Sequence, residues 1–117
     1  MKTKKTIFIG HPIGGDVPGN MEKVLKICKE IHSENAIPVA PYLVSLRYLD
    51  DAKPEDRELG CDANLETLRR GYIDEMWLFG DRISSGMKQE VEVALSLGIP
   101  VIPKTEGTAR DFEEFKK

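Results

Sequence analysis

The sequence predicts an α/β domain, a single doubly wound (Rossmann-like or flavodoxin-like) parallel sheet of four to five strands flanked by helices. Short β-rich runs alternate with amphipathic stretches along the whole chain, the pattern of a parallel sheet with right-handed crossovers. The length of 117 residues is that of one domain, so we assign residues 1–117 to it. Strand order 2-1-3-4 is the natural doubly wound arrangement, and it places a ligand crevice between strands one and three, where the loops that follow these strands meet.

Four short segments have the composition of strands. The first ends at a glycine, the second contains Pro38, and the third has an apolar second half. Proline cannot donate to a strand ladder, so the second strand is expected at an edge of the sheet. The predicted strands cover residues 6–9, 37–40, 73–79 and 100–102.

Helices are predicted between and after these strands. Asn20 is a suitable N-cap for the first helix, whose apolar face would hold Met21, Val24, Leu25, Cys28 and Ile31. Residues 41–51 form a loop or a short helix. The later helices are expected from Pro54 to about Arg70, from Gly86 to Leu97 after a Ser84–Ser85 cap, and from Thr108 to Lys117.

Composition excludes several classes of function. The net charge is −3 and no basic face is evident, which argues against binding a nucleic acid polymer. The apolar run after the basic start covers only Ile7–Ile9, too short for a signal peptide or a membrane span, so we expect a cytoplasmic protein. Two cysteines and two histidines without metal-site spacing predict no metal site, and no cofactor is expected; Cys28 is expected to be buried and reduced.

The loop after the first strand is a candidate binding loop. Its glycines allow the backbone to approach a ligand, and a helix N-terminus follows that attracts anions. It lacks both the GxGxxG spacing and a following GK[ST] sequence, and a plain glycine-rich turn remains an alternative. The candidate substrate-binding residues here are Gly10, His11, Gly14, Gly15 and Asp16.

The loop after the third strand contributes a second set. Asp81 follows the strand directly, and the backbone N–H groups at the start of the next helix form a possible anion cradle. Simple N-capping by the serines is compatible with that role. The candidate binding residues here are Ser84, Ser85, Gly86 and Met87, joined by Tyr42 after strand two, which either stacks on a base or packs in the core; Trp77 is expected in the core.

Glu90 is the most informative single residue. At about 100° per residue, Met87, Val91, Ala94 and Leu95 form the buried stripe of its helix, flanked by Leu97. Glu90 falls inside that apolar arc and near the strand ends, where a carboxylate is costly without partners. Such charges often mark functional sites, although an edge position reaching water or an arginine would also satisfy it.

The segment GDRISSGMKQEVEVALSLGIPVI resembles the signature of nucleoside 2-deoxyribosyltransferases and related nucleotide N-glycosidases, and the opening IFIGHPIGG is similar to their first strand and glycine loop. The resemblance implies a retaining double displacement with Glu90 as the nucleophile and Asp81 as a general acid. It places the acid of the preceding helix near Asp62 or Asn64. Retaining mechanisms use two carboxyl groups in different environments, close together in space.

Two functions from different classes follow. One is cleavage or transfer at the N-glycosidic bond of a (deoxy)nucleoside or nucleoside monophosphate; the other is a non-catalytic module that senses or sequesters a nucleotide. We also expect a homo-oligomer, most simply a two-fold dimer, because four strands leave a shallow crevice and the apolar segment 42–51 has no face of its own. The alternative is that this segment folds back over its own domain.

Overall fold

The computed structural model describes residues 4–117, which form one four-stranded sheet. Every neighbouring pair of strands is parallel, and the strand order is β2-β1-β3-β4. The predicted fold class and strand order are confirmed, and the proline-containing strand lies at an edge as expected. The strands are β1 (Lys5–Gly10), β2 (Ala36–Val39), β3 (Glu75–Leu78) and β4 (Val101–Pro103).

Five helices connect or follow these strands in the described part of the chain. The third and fourth match the predicted spans to within two residues at each end, and the uncertain region after β2 contains a short helix. The helices are α1 (Val17–Ile31), α2 (Tyr42–Ser45), α3 (Pro54–Arg69), α4 (Ser85–Ser96) and α5 (Glu106–Lys116).

Two predicted helix starts were wrong. Helix α1 begins at Val17 rather than after Asn20, because Asp16 is the N-cap and its carboxylate accepts from the Gly19 N–H at 3.2 Å. Pro18 in the first helical turn has no N–H to satisfy there. Helix α5 likewise begins before Thr108, capped by Thr105. In both cases a side-chain cap extends the helix through residues that the composition alone assigned to a loop.

The core has two layers, one on each face of the sheet. Phe8 packs on the face that holds α3, α4 and α5, whereas Ile7 and Ile9 pack on the face that holds α1 and α2. This alternation follows from the two-residue period of a strand. Trp77 is half-buried against the α1 layer, with Lys104 Nζ lying 3.9 Å from the centre of its ring.

Some residues predicted on buried helix faces are exposed. Leu25 and Leu95 are each 44% exposed and Leu97 is 49% exposed, while Cys28 is only half-buried. The strands are only three to six residues long. The sheet therefore covers only part of the apolar face of each helix. Val93, rather than Leu95, packs against the core from α4.

The ends of β1 and β3 meet at one edge, where Gly10 pairs with Leu78. A Cβ at Gly10 would lie 2.9 Å from Leu78 Cδ2, so the glycine allows the two strands to pack closely. Gly80, with a φ of +93°, would place a Cβ 2.5 Å from Pro12 Cδ, so the loops after β1 and β3 also touch. This contact positions both loops around a common space.

Candidate functional site

One cavity of about 320 Å³ opens at this edge of the sheet. The loop after β1 and the loop after β3 both contribute to its wall, as the strand order predicts. The remaining wall comes from α4 and from residues 42–64, which fold back over their own domain. The lining residues are His11, Ile13, Gly14, Tyr42, Ser45, Leu46, Leu49, Asp51, Asp56, Arg57, Gly60, Cys61, Asn64, Arg82, Ser84, Ser85, Gly86, Met87 and Glu90.

Glu90 lies in the wall of the cavity on the buried face of α4. Its side chain is 8% exposed, and Met87, Val91 and Ala94 share its helix face in the core. Removal from water raises the pKa of the Glu90 carboxyl to about 8, and a hydrogen bond from the Asn64 side chain opposes that rise. The free protein therefore holds Glu90 mainly as a neutral acid at pH 7.

Asn64 faces the cavity from α3 and is 9% exposed, whereas Asp62 points outward. Its Oδ1 atom is buried and accepts no hydrogen bond from any residue that the structure describes. The family resemblance places an acid near Asp62 or Asn64. Of these two residues, the fold brings Asn64 to the cavity. An amide cannot supply a proton as a carboxylic acid does, but it can both donate and accept a hydrogen bond.

His11 is a buried residue of the cavity wall, 7% exposed. Its Nδ1 lies 2.6 Å from the carbonyl oxygen of Pro12, which can only accept, so Nδ1 carries the proton. Burial lowers the pKa of the imidazole, so the ring is neutral at pH 7 and Nε2 is an acceptor. A loop histidine is commonly exposed, and its burial here follows from the close packing of Pro12 on Gly80.

The start of α4 forms another part of the wall. Ser84 is the N-cap, and its Oγ accepts from the Met87 N–H at 3.3 Å, which confirms the predicted cap. Ser85 and Gly86 follow in the first turn and line the cavity. The unpaired N–H groups of a helix N-terminus favour an anion at this position.

Asp81 does not line the cavity. Its side chain is 81% exposed and pairs with Arg82 Nη1 at 2.9 Å, while Arg82 itself reaches the cavity wall. The carboxyl groups that share the cavity with Glu90 are those of Asp51 and Asp56. Asp56 accepts from the Asp50 N–H at 2.8 Å and so has a structural role.

The glycine-rich loop has mixed roles. Gly14 lines the cavity, but Gly10 packs against β3 and Gly15, with a φ of +93°, makes an exposed turn. Asp16 caps α1, as described above. Asn20 is inside the helix, where its Nδ2 donates to the Ile13 carbonyl at 2.9 Å and holds the loop against α1.

Tyr42 packs in the core and also lines the cavity, so stacking on a base stays a prediction. Its ring is 5% exposed and lines the cavity, while its hydroxyl donates to the Ile9 carbonyl at 2.6 Å. Leu46 and Leu49 extend the same wall. The segment 42–51 thus covers its own domain, as the alternative considered from sequence held.

Several lining residues were not found by sequence reasoning, and Asn64 was indicated only by the family resemblance. Cys61, Asn64 and Leu68 lie three and four positions apart on α3, so they share one face. Their spacing could have indicated that Cys61 and Asn64 point inward. Ser45, Asp51 and Arg57 carry no comparable local signal, because their positions depend on how residues 42–57 fold over the sheet.

Fold and site together define a class: a parallel α/β domain with a cavity at the carboxyl ends of its strands, containing a buried carboxyl group. The chain belongs to the family described as domain of unknown function DUF7768, which it matches over residues 5–104. A search of curated proteins finds no match. The match includes the cavity residues given above.

Residues 4–117 contain neither a metal-ligand cluster nor a membrane-spanning helix. Within this range, no three or more His, Cys, Asp or Glu side chains are grouped to hold a metal ion. Over the same residues, none of the helices has the length and apolar character needed to cross a membrane.

Proposed function

We propose that this protein cleaves or transfers the N-glycosidic bond of a (deoxy)nucleoside or nucleoside monophosphate, with Glu90 as the nucleophile. The observation that carries the proposal is the buried Glu90 carboxyl in the wall of a cavity at the strand ends. A volume of about 320 Å³ is at the lower end of ordinary small-ligand pockets. The wall combines apolar side chains such as Leu46 and Leu49 with many polar ones, which suits a ligand with a flat base and a hydroxylated sugar.

The proposed reaction has two displacements. A Glu90 carboxylate oxygen attacks the anomeric carbon, the carbon–nitrogen bond breaks, and its electron pair leaves with the base nitrogen, which takes up a proton. Water or a second base then attacks the same carbon and releases the Glu90 carboxylate. Two inversions give net retention.

Asp51 is the best-placed carboxyl group to protonate the departing base. Asp81 was the expected acid, but Asp51 lines the cavity and Asp81 does not. Charges on Glu90 and Asp51 both contribute to raising the pKa of the Cys61 thiol, behind the larger effect of burial, so both carboxyl groups lie near Cys61. We therefore assign the acid role to Asp51 in this proposal.

The start of α4 is the part of the cavity that suits a phosphate group. Backbone N–H groups at Ser85 and Gly86 and the side chain of Arg82 lie in the same stretch of wall. A helix N-terminus and a nearby guanidinium are a common combination for anions. This feature is the reason for including nucleoside monophosphates among the proposed substrates.

The second candidate is a non-catalytic module that binds a nucleotide for sensing or sequestration. The observation in its favour is that Glu90 is mainly protonated at pH 7 in the free protein and that Asp81 is directed away from the cavity. A protonated carboxyl is a hydrogen-bond donor and not a nucleophile. The two candidates differ in whether a base is released.

The test is to incubate the protein with a panel of nucleosides and nucleoside monophosphates and to detect free base by chromatography. Glu90→Gln should remove base release, whereas Glu92→Gln, an exposed glutamate on the same helix, should retain it. Mass spectrometry after exposure to a 2-fluoro sugar substrate should show an adduct on Glu90. Binding without release in every case would favour the second candidate.

The pH profile is a further test of the nucleophile. At pH 7 about a tenth of the molecules carry an ionised Glu90, since its pKa is about 8. Base release measured as kcat/KM should therefore rise from pH 6 and level off above about 8. A rate that falls over this range would contradict the nucleophilic role.

The proposed setting is the cytoplasm. Cys28 and Cys61 are both unpaired thiols, which is typical of a reducing compartment. The proposed partner is a small-molecule nucleoside or nucleotide, and neither a nucleic acid polymer nor a membrane is part of the proposal. Fractionation of cells followed by immunoblotting would test the location.

A further inference from the structure

Asn64 and Glu90 form a buried pair between α3 and α4. Both side chains line the cavity, both are at least nine-tenths removed from water, and hydrogen bonding to the Asn64 side chain opposes the rise in the Glu90 pKa. The Asn64 amide that supports the charged form of Glu90 does so by donating from Nδ2, because a carboxylate can only accept. Its Oδ1 is then left buried without a donor.

An unpartnered buried acceptor is rare in native proteins and calls for an explanation. The Glu90 carboxyl group lines the same cavity and is a donor when it carries its proton. Burial raises the pKa of Glu90 to about 8, so that proton is present in most molecules at pH 7. A half-turn of the Asn64 amide about its last side-chain bond would present Oδ1 to the acid.

We propose that Asn64 is a positioning residue that holds the Glu90 carboxyl in both of its protonation states. In the neutral state Glu90 donates its O–H to Asn64 Oδ1, and in the ionised state Asn64 Nδ2 donates to the carboxylate. A buried aspartate at position 64 would place a second negative charge beside the Glu90 carboxylate. An apolar residue there could form a hydrogen bond with neither protonation state of Glu90. The inference concerns the free protein and goes beyond the proposed reaction, because it does not require a substrate.

Other titratable and charged groups share the cavity wall. The pKa values of Tyr42 and Cys61 are raised and that of His11 is lowered, each chiefly by burial, so all three are neutral at pH 7. Burial and Asn64 are the causes of the Glu90 shift. The other acidic and basic side chains that face the same space are those of Asp51, Asp56, Arg57 and Arg82.

The test follows both side chains by NMR across a pH titration of the wild-type protein. The Glu90 carboxyl carbon and the Asn64 side-chain amide signals should shift with one common midpoint. In Glu90→Gln the Asn64 transition should disappear, because Gln has no proton to lose in this range. An Asn64 amide that does not respond to pH in the wild type would overturn the proposal.

A variant pair supplies the second measurement. Asn64→Leu removes both hydrogen bonds at similar volume and should raise the Glu90 midpoint by on the order of one pH unit, because the carboxylate loses its donor. Ser45→Ala is the matched control, a buried polar residue of the same wall that is not among the causes of the Glu90 shift. An unchanged midpoint in Asn64→Leu would also overturn the proposal. If Asn64→Leu fails to fold, the wild-type and Glu90→Gln titrations decide the question alone.

Neither measurement depends on catalysis. Correlated titration without base release would support this inference and reject the proposed reaction. Base release with an unresponsive Asn64 amide would do the reverse. The two ideas therefore fail separately.

Discussion

Glu90 carries a carboxyl group that the fold removes from water, and this has a thermodynamic consequence. The pKa rises from 4.5 to about 8 on folding, so between these values the folded protein binds a proton that the unfolded chain has released. Stability therefore falls as pH rises through this window and levels off above about 8. At pH 7 the cost is roughly 3 kcal/mol.

Glu90→Gln should remove this cost. We expect the variant to be more stable than the wild type at pH 7 to 8, with the difference shrinking towards pH 5, as measured by urea unfolding at several pH values. Glu92→Gln, exposed on the same helix, should follow the wild-type profile. The lowered pKa of His11 acts in the opposite direction, but it is common to all three proteins. Equal pH slopes for wild type and Glu90→Gln would contradict the assignment.

Cys61 gives a chemical readout of cavity occupancy. It lines the cavity, whereas Cys28 lies on α1 outside it, and burial raises the pKa of both thiols. Bound deoxynucleoside monophosphates should slow alkylation of Cys61 by iodoacetamide severalfold and leave Cys28 unaffected, as measured by peptide mass spectrometry. If a nucleotide is bound or cleaved without slowing the alkylation of Cys61, its binding site is not this cavity.

At the scale of elements, α5 sets the position of the β3–α4 loop that carries Arg82 and Ser84. Thr105 Oγ1 donates to the Gly80 carbonyl at 2.7 Å, and Asp111 accepts from the Ile83 N–H at 2.9 Å. The backbone of α5 also touches the loop at Gly107, where any Cβ would overlap the Asp81 carbonyl. The terminal helix therefore supports the cavity from behind.

Gly107→Ala should test this support. The added methyl group must displace α5 or the loop, and we expect a loss of about 1 to 3 kcal/mol in unfolding free energy. Gly86→Ala is a close control, because Gly86 is also the second residue of its helix and its Cβ would meet nothing within 4 Å. That change should be neutral or stabilising. Equal effects at the two glycines would show that the α5 contact is unimportant.

At the scale of the whole molecule, the cavity wall is built within one chain. One reason to predict a dimer is that four strands alone leave a shallow crevice, but Leu46 and Leu49 supply part of the cavity wall from the same chain. Val44 and Tyr48 of that segment remain 66% and 72% exposed. Apolar residues at this density on one short segment still favour association of two copies.

The homo-oligomer therefore stays a prediction, and the exposed side chains of Val44 and Tyr48 are its expected interface. Light scattering at micromolar protein should give the mass of a dimer, and the double change Val44→Ser with Tyr48→Ser should give a monomer. Leu95→Ser, a 44% exposed leucine near the end of α4, is the control and should remain dimeric. A monomer mass for the wild type would reject the prediction.

Much of the fold was predictable because its signals are local. Alternating β-rich and helical stretches predicted a parallel sheet, and Pro38 indicated an edge strand. The spacing of Glu90 from Met87 and Ala94 was enough to place it on the buried face of its helix. Helix starts were less predictable. Asp16 and Thr105 cap helices through side-chain hydrogen bonds, and these caps start each helix within residues that composition alone assigns to loops.

The sequence by itself determined the fold class, the meeting of two loops at the ends of β1 and β3, and the anomalous position of Glu90. The tertiary structure decided which groups share the cavity with that carboxyl. Asn64 and Cys61 of α3 line it, Asp51 lines it where Asp81 was expected, and residues 42–57 supply part of the wall. The physical reason is the range of the interactions. Periodicity and capping act within a few residues, whereas the pKa of Glu90 depends on desolvation by elements more than twenty residues away along the chain.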